Sequence, residues 1–184
     1  RPTLIDLVSD LATMPDLEKK LRFGLEEGGR VADRASECLA TLRHQRLDYL
    51  KSRSQKLQDI LRSSRSIFHE NVISQRYGRP VLSLKTGAAA YFPGLVHGTS
   101  ASGNTIFVEP QEVIPLGNRI VEKDAQIFAE ERRLLTQWSQ EVGEKVSTLQ
   151  YLRDVLLRLD LALARSRYGG WLGGVPAELK SDPN

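Results

Sequence analysis

A single cysteine, Cys38, rules out an internal disulfide and a cysteine-based metal site, and it fits a reducing compartment. Long hydrophobic runs are missing as well. The longest apolar stretch, Ala88 to Val96, is interrupted by Pro93-Gly94 and falls far short of the ~20 residues a membrane helix needs. No glycine is followed by lysine, which excludes the Gly-x-x-x-x-Gly-Lys-Ser/Thr phosphate loop. His69-Glu70 has no second histidine three residues on, so the helical zinc motif is absent. No signal or transit peptide is visible, and the first residues already follow a helical pattern. The chain therefore reads as a piece of a longer protein.

What is present is helical periodicity. Of 184 residues, 40% are hydrophobic and 27% charged, a balance that suits paired helices burying one stripe each. Leu4, Leu7, Val8 and Leu11, then Leu17, Leu21 and Leu25, keep a helical spacing, with Met14-Pro15-Asp16 as a turn between two short helices. Glu26 to Val31 is a connector with two glycines. Ser36 is placed to cap a helix running to about Arg65, roughly 45 Å at 1.5 Å per residue. Its stripe of Leu39, Leu42, Tyr49, Leu50, Leu57, Ile60 and Leu61 is interrupted by Arg46, Arg53 and Ser64. From Pro110, taken as the first helical residue, a second long helix is expected through Val142, with a kink at Gly143. A last apolar helix follows from Leu149 to Tyr168 and is expected to stop at Gly169-Gly170.

Charge relates the two long helices. Residues 36–65 carry seven basic side chains against three acids, and residues 111–148 carry five against seven. An outgoing basic helix and a returning acidic one make an antiparallel pair, with flanking charges setting the register. Net charge over the chain is only +3, which permits a nucleic-acid partner without demanding one.

Between the helices the period changes to two. Val81 to Leu84 reads as a strand, Lys85-Thr86-Gly87 as a turn, and Ala88 to His97 as the hairpin mate. Thr105 to Val108 is a further strand, reached through a polar loop from Gly98 to Asn104. In that loop His97 stands near Ser100 and Ser102, yet the run misses the Gly-x-Ser-x-Gly elbow by one residue. An acid for the third role of a triad is lacking unless Glu109 folds back. The plainer reading of Thr99, Ser100 and Ser102 is bonding to their own backbone, with Gly103 taking positive φ. An anion nest made by the loop N–H groups is the third reading. The cluster Gln75-Arg76-Tyr77-Gly78-Arg79, with Lys85 nearby, offers guanidinium groups around an aromatic ring, a set suited to phosphate contact and stacking. Solvated surface positions are the alternative for the same residues.

Gly94-Leu95-Val96-His97 through Ser100-Ala101-Ser102-Gly103-Asn104-Thr105-Ile106-Phe107-Val108-Glu109-Pro110 resembles a signature of the second MutS-type family, bacterial and organellar relatives of the mismatch-repair ATPase. Arg79 to Lys85, Leu159 to Tyr168 and Gly29 to Ser36 are similar to other parts of that family, so the likeness covers nearly the whole chain. Gly98, where an acid is common, and Gly117-Asn118, where paired asparagines are usual, depart from it.

The resemblance implies a mainly α fold, in which a helical core sends out two antiparallel lever helices carrying a small antiparallel β clamp at the tip. Its expected parts are core over 1–35, outgoing lever over 36–68, clamp over 69–110, returning lever over 111–148 and core over 149–184. No catalysis and no cofactor are expected in this piece, and ATP and magnesium would belong to an absent ATPase domain of the parent, which would also bear a nuclease domain. The implied partners are branched DNA or ribosomal RNA of stalled ribosomes, and the implied parent is a homodimer in a bacterial cytoplasm or an organelle. Arg62, Arg65, Arg76, Tyr77, Arg79 and Lys85 are the expected phosphate contacts, and His97, Ser100, Ser102 and Gly103 the clamp loop. A rival expectation is a coiled-coil arm that docks protein through Trp138 and Phe92.

Overall fold

The computed structural model describes residues 11–175. The spacing at Leu4, Leu7 and Val8, and the end of the last expected part beyond residue 175, lie outside the described residues. The chain is mainly α, with a small antiparallel sheet. Helix α1 covers Pro15–Gly24, α2 Glu37–Ser63, α3 Ile114–Gly143 and α4 Val146–Trp171; strands β1 (Phe68–Arg76), β2 (Arg79–Lys85), β3 (Gly94–Thr99) and β4 (Thr105–Pro110) lie between α2 and α3. Two compact units result. One comprises Arg22–Leu135, and the other the described residues on either side of it.

Within the first unit, α2 starts where Ser36 stands extended and its Oγ accepts from the Leu39 N–H at 3.3 Å. The same hydroxyl donates to Glu130 Oε1 on α3 at 2.8 Å. Arg43 reaches Glu131, and Arg46 reaches Asp124. From Ser36 and Arg43, which meet Glu130 and Glu131, to Arg46, which meets Asp124, the α3 number falls as the α2 number rises, so the two helices run antiparallel side by side. On α2, residues 39, 43, 46, 50, 53, 57 and 61 are buried or half-buried, a 4–3 spacing; 117, 120, 127, 131 and 134 answer it on α3. Arg43, Arg46 and Arg53 thus occupy the seam itself. The expectation of flanking charges is corrected: the residues that break the apolar stripe set the register from inside it, as polar seam residues do. Burial works against the Arg43 charge, but hydrogen bonds to Asp33 and Glu131 outweigh it and raise its pKa.

The sheet has strand order β1-β2-β4-β3, antiparallel throughout. Leu57 and Leu61 of α2, Phe68, Leu82, Leu84, Val108 and Val113 form its core, with Phe92 set edge-on to Phe68 at 5.8 Å. The expected hairpin partner of β2 is corrected. Residues 88–93 are turns, and β2 pairs with β1 and β4 instead. Strand β1 escapes sequence reading because it is an edge strand with polar residues on both faces and a register shift between Phe68 and Ile73. Its hairpin turns at Tyr77 (φ 49°) and Gly78 (φ 76°), the left-handed pair that a two-residue connection needs.

Other boundaries move as well. Pro110 ends β4 rather than opening a helix, and Pro115 takes the first turn of α3. Gly143 ends α3 outright, and α4 runs through Gly169 and Gly170 to Trp171. In the second unit Lys20 donates to both Glu141 oxygens, which lowers the Glu141 pKa, while Trp138 and Val155 are buried. No helix among the described residues is long and apolar enough to cross a membrane.

Candidate nucleic-acid interface

Cations in the first unit fall into two groups. Those on the α2–α3 seam are matched: Arg43 with Asp33 and Glu131, and Arg46 with Asp124. Those from the end of α2 through the sheet are not, except Arg79, which pairs with Glu109. Residues 62–105 hold Arg62, Arg65, Arg76, Arg79 and Lys85 against one acid, Glu70. Arg62 closes the last turn of α2 and Arg65 starts the short 3₁₀ turn after it. With Gln58, Leu61 and Asn71 they line an open recess of about 340 Å³. Among the described residues neither arginine has an ion-pair partner. Two forked donors beside an amide side chain can hold one phosphate from several directions.

Arg76 sits with its guanidinium 4.2 Å from the centre of the Phe107 ring. That cation–π contact holds the Arg76 charge over the Phe107 ring. Tyr77 projects from the adjoining turn and is 91% exposed. Lys85 Nζ donates to the Ser66 carbonyl at 2.8 Å, tying the end of β2 to the turn after α2 while the side chain stays exposed.

Arg79 differs from the other expected contacts. Its Nη2 donates to Asn118 Oδ1 on α3 at 2.8 Å, and Nη1 lies 3.5 Å from Glu109 Oε1. That separation makes an ion pair but is too long for a hydrogen bond, so both atoms are buried without one. Glu109 is 1% exposed, and its other oxygen accepts from His97 Nε2 at 3.0 Å. Arg53 of α2 feels the same carboxylate: burial lowers its pKa, Glu109 acts in the opposite direction, and Arg79 and Arg46 lower it further. Gly117 leaves the necessary room, because a Cβ there would stand 2.6 Å from Arg79 Nη1. Arg79 is therefore turned into the protein as a brace between β2, β4 and α3. Its expected role as an open phosphate contact is corrected.

His97 is aimed inward by a bulge. The register steps from Val96↔Val108 to Gly98↔Phe107, leaving His97 as the extra residue, and Gly98 follows with φ 135°. Glu109 does fold back onto His97, supplying the contact that a triad would want. The serines stay apart from it: Ser100 Oγ accepts from the Thr105 N–H at 3.1 Å and lies 3.3 Å from Ser102 Oγ. Gly103 takes φ 72° as its N–H donates to the Ser100 carbonyl. The loop is a closed hairpin turn in which the Ser100 hydroxyl serves the loop's own backbone. Of the expected docking anchors, Trp138 is buried and Phe92 is half-buried against the sheet core.

No family model matches the chain. Among curated proteins it is 42% identical over 173 residues to Endonuclease MutS2 of Synechocystis sp., 36% over 170 residues to that of Halalkalibacterium halodurans, and 30% over 169 residues to that of Clostridium kluyveri. These matches cover 94%, 91% and 92% of this chain but 21%, 22% and 22% of the relatives. The chain spans about a fifth of the length of the curated relatives it matches.

Proposed function

This chain is a segment of the MutS2 family, and from that premise we propose that it is a non-catalytic clamp on a pair of lever helices. The clamp, β1 to β4 with the end of α2, grips nucleic acid through phosphates and without reading bases. Branched DNA and the ribosomal RNA of stalled ribosomes are the partners this reading admits. The parent protein would bind ATP and magnesium in a domain outside these residues, cut nucleic acid in another, act as a homodimer, and serve recombination suppression or ribosome rescue. A nucleotide-driven swing of the levers would open and close the grip as a rigid-body motion.

The observation that carries the proposal is the partition of charge. The seam arginines Arg43 and Arg46 are neutralised by Asp33, Asp124 and Glu131, whereas Arg62, Arg65 and Arg76 at the sheet end have no carboxylate partner among the described residues. An exposed Tyr77 beside them offers a stacking face.

Fluorescence anisotropy with a four-way DNA junction and with a ribosomal RNA hairpin, across a potassium chloride series, tests it. Four phosphate contacts from Arg62, Arg65, Arg76 and Lys85 predict a log–log slope of about −3 to −4 on duplex DNA. Replacing Arg62 and Arg65 by alanine should flatten that slope by about 2 and weaken binding at low salt. A slope near zero, or one unchanged in the double variant, would overturn the phosphate grip.

A further inference from the structure

The end of α2 borders two recesses. Gln58, Leu61 and Arg62 line the one that holds the unpaired arginines. Ile60 and Ser63 line a second, of about 410 Å³, which Tyr91, Pro93, Pro110 and Glu112 help to complete. One residue turns a helix by about 100°, so the two sets of α2 side chains leave the helix on opposite sides. The second recess is therefore turned away from the phosphate contacts. Its walls are chiefly apolar, and Glu112 is the one charged residue among them. Glu112 is exposed, and its carboxylate has no ion-pair or hydrogen-bond partner among the described residues. Tyr91 is 89% exposed, and its ring meets no other ring or cation among the described residues.

We infer that this recess takes an arginine side chain presented by a basic segment of a partner protein. The apolar walls suit a methylene stem, which long basic side chains lay along apolar surface while the charged head stays in water. The Tyr91 ring offers a cation its electron-rich face. Glu112 supplies the counter-charge, and a planar guanidinium fits both a ring face and the two oxygens of a carboxylate, as an ammonium does not. The same carboxylate repels phosphate, so a nucleic-acid strand is not the occupant. An apolar side chain would fill the walls but leave the Glu112 charge unmet. A single exposed carboxylate and a single ring make a weak contact, with dissociation of the isolated side chain in the millimolar range. The inference does not rest on nucleic-acid binding.

Titration of the isotope-labelled chain with the peptide acetyl-Gly-Arg-Gly-amide, followed by amide NMR, tests it. The Ala88, Tyr91, Gln111 and Glu112 signals should shift saturably. The same peptide with citrulline in place of arginine keeps the shape without the charge and should bind at least about threefold more weakly. Glu112→Gln and Tyr91→Ala, both at exposed positions, should each weaken the arginine peptide by about threefold while leaving the urea midpoint in place. Glu112→Lys should abolish the saturable shifts. No saturable shift at these four amides, equal binding of the citrulline peptide, or larger shifts there from an oligothymidylate strand than from the arginine peptide would overturn the inference.

Discussion

Removing the Glu109 carboxylate tests whether the centre of the sheet is held by charge. Glu109→Ala leaves Arg79 with Asn118 as its one remaining polar contact among the described residues, leaves His97 Nε2 without its acceptor, and removes a carboxylate that favours the Arg53 charge. Taking one partner from a buried pair costs about 3–5 kcal/mol, and the lower end applies because the Arg79 side chain keeps 29% exposure. Against a total of about 5–15 kcal/mol this is a large share of stability. With a slope of about 2 kcal/mol per molar urea, the midpoint of unfolding should fall by about 1.5 M. Glu109→Gln keeps an acceptor for His97 and should lose about 1–3 kcal/mol, since the charge is gone but the shape remains. The pairing itself is read from a double-mutant cycle with Arg79→Met, where a coupling of about 1–3 kcal/mol is expected. A loss below about 0.5 kcal/mol for Glu109→Ala, or additive single effects, would refute the buried brace.

Arg79→Met should also leave the salt slope of nucleic-acid binding where it was, because its guanidinium is turned inward; a slope flattened by about one unit would return Arg79 to the contact set. Glu130 is held down to about 2, chiefly by the Arg133 hydrogen bond and then by Ser36. A depressed folded pKa gives stability that is present above the ordinary value and is lost as pH falls. Urea midpoints should therefore drop between pH 4.5 and about 2, and Glu130→Gln should flatten that part of the profile. Gly94→Ala would put a Cβ 2.5 Å from the Glu109 carbonyl and from Val108 Cγ1, in the β3–β4 ladder, and should cost about 1–3 kcal/mol in thermal or urea unfolding. Gly87→Ala, which meets open space, is its control and should stay within about 0.5 kcal/mol.

Much of the framework was legible because it depends on neighbours in the chain. Ser36 as a helix cap, the long helices after it and after the strands, and the turn at Gly103 all follow from hydrogen bonds and φ preferences reaching no more than a few residues. Charge totals by segment pointed to the antiparallel pairing of α2 with α3. The edge strand β1 was missed because its alternation is weak and its identity comes from pairing with β2.

By itself, then, the sequence determined which stretches are helical, where several turns fall, and that a basic helix would meet an acidic one. Only the tertiary structure decided what individual charges do. Arg43, Arg46 and Arg53 became seam residues once α3 lay against them, and Arg79 became a brace once β4 and α3 closed over it. His97 became a donor to Glu109 because a bulge in the β3–β4 ladder turned it inward. The physical reason is that an arginine's role depends on the acceptors and the solvent around its guanidinium, and those are supplied by elements distant in sequence. Arg62 and Arg79, alike as letters, end with different roles: one faces an open recess, the other a buried carboxylate.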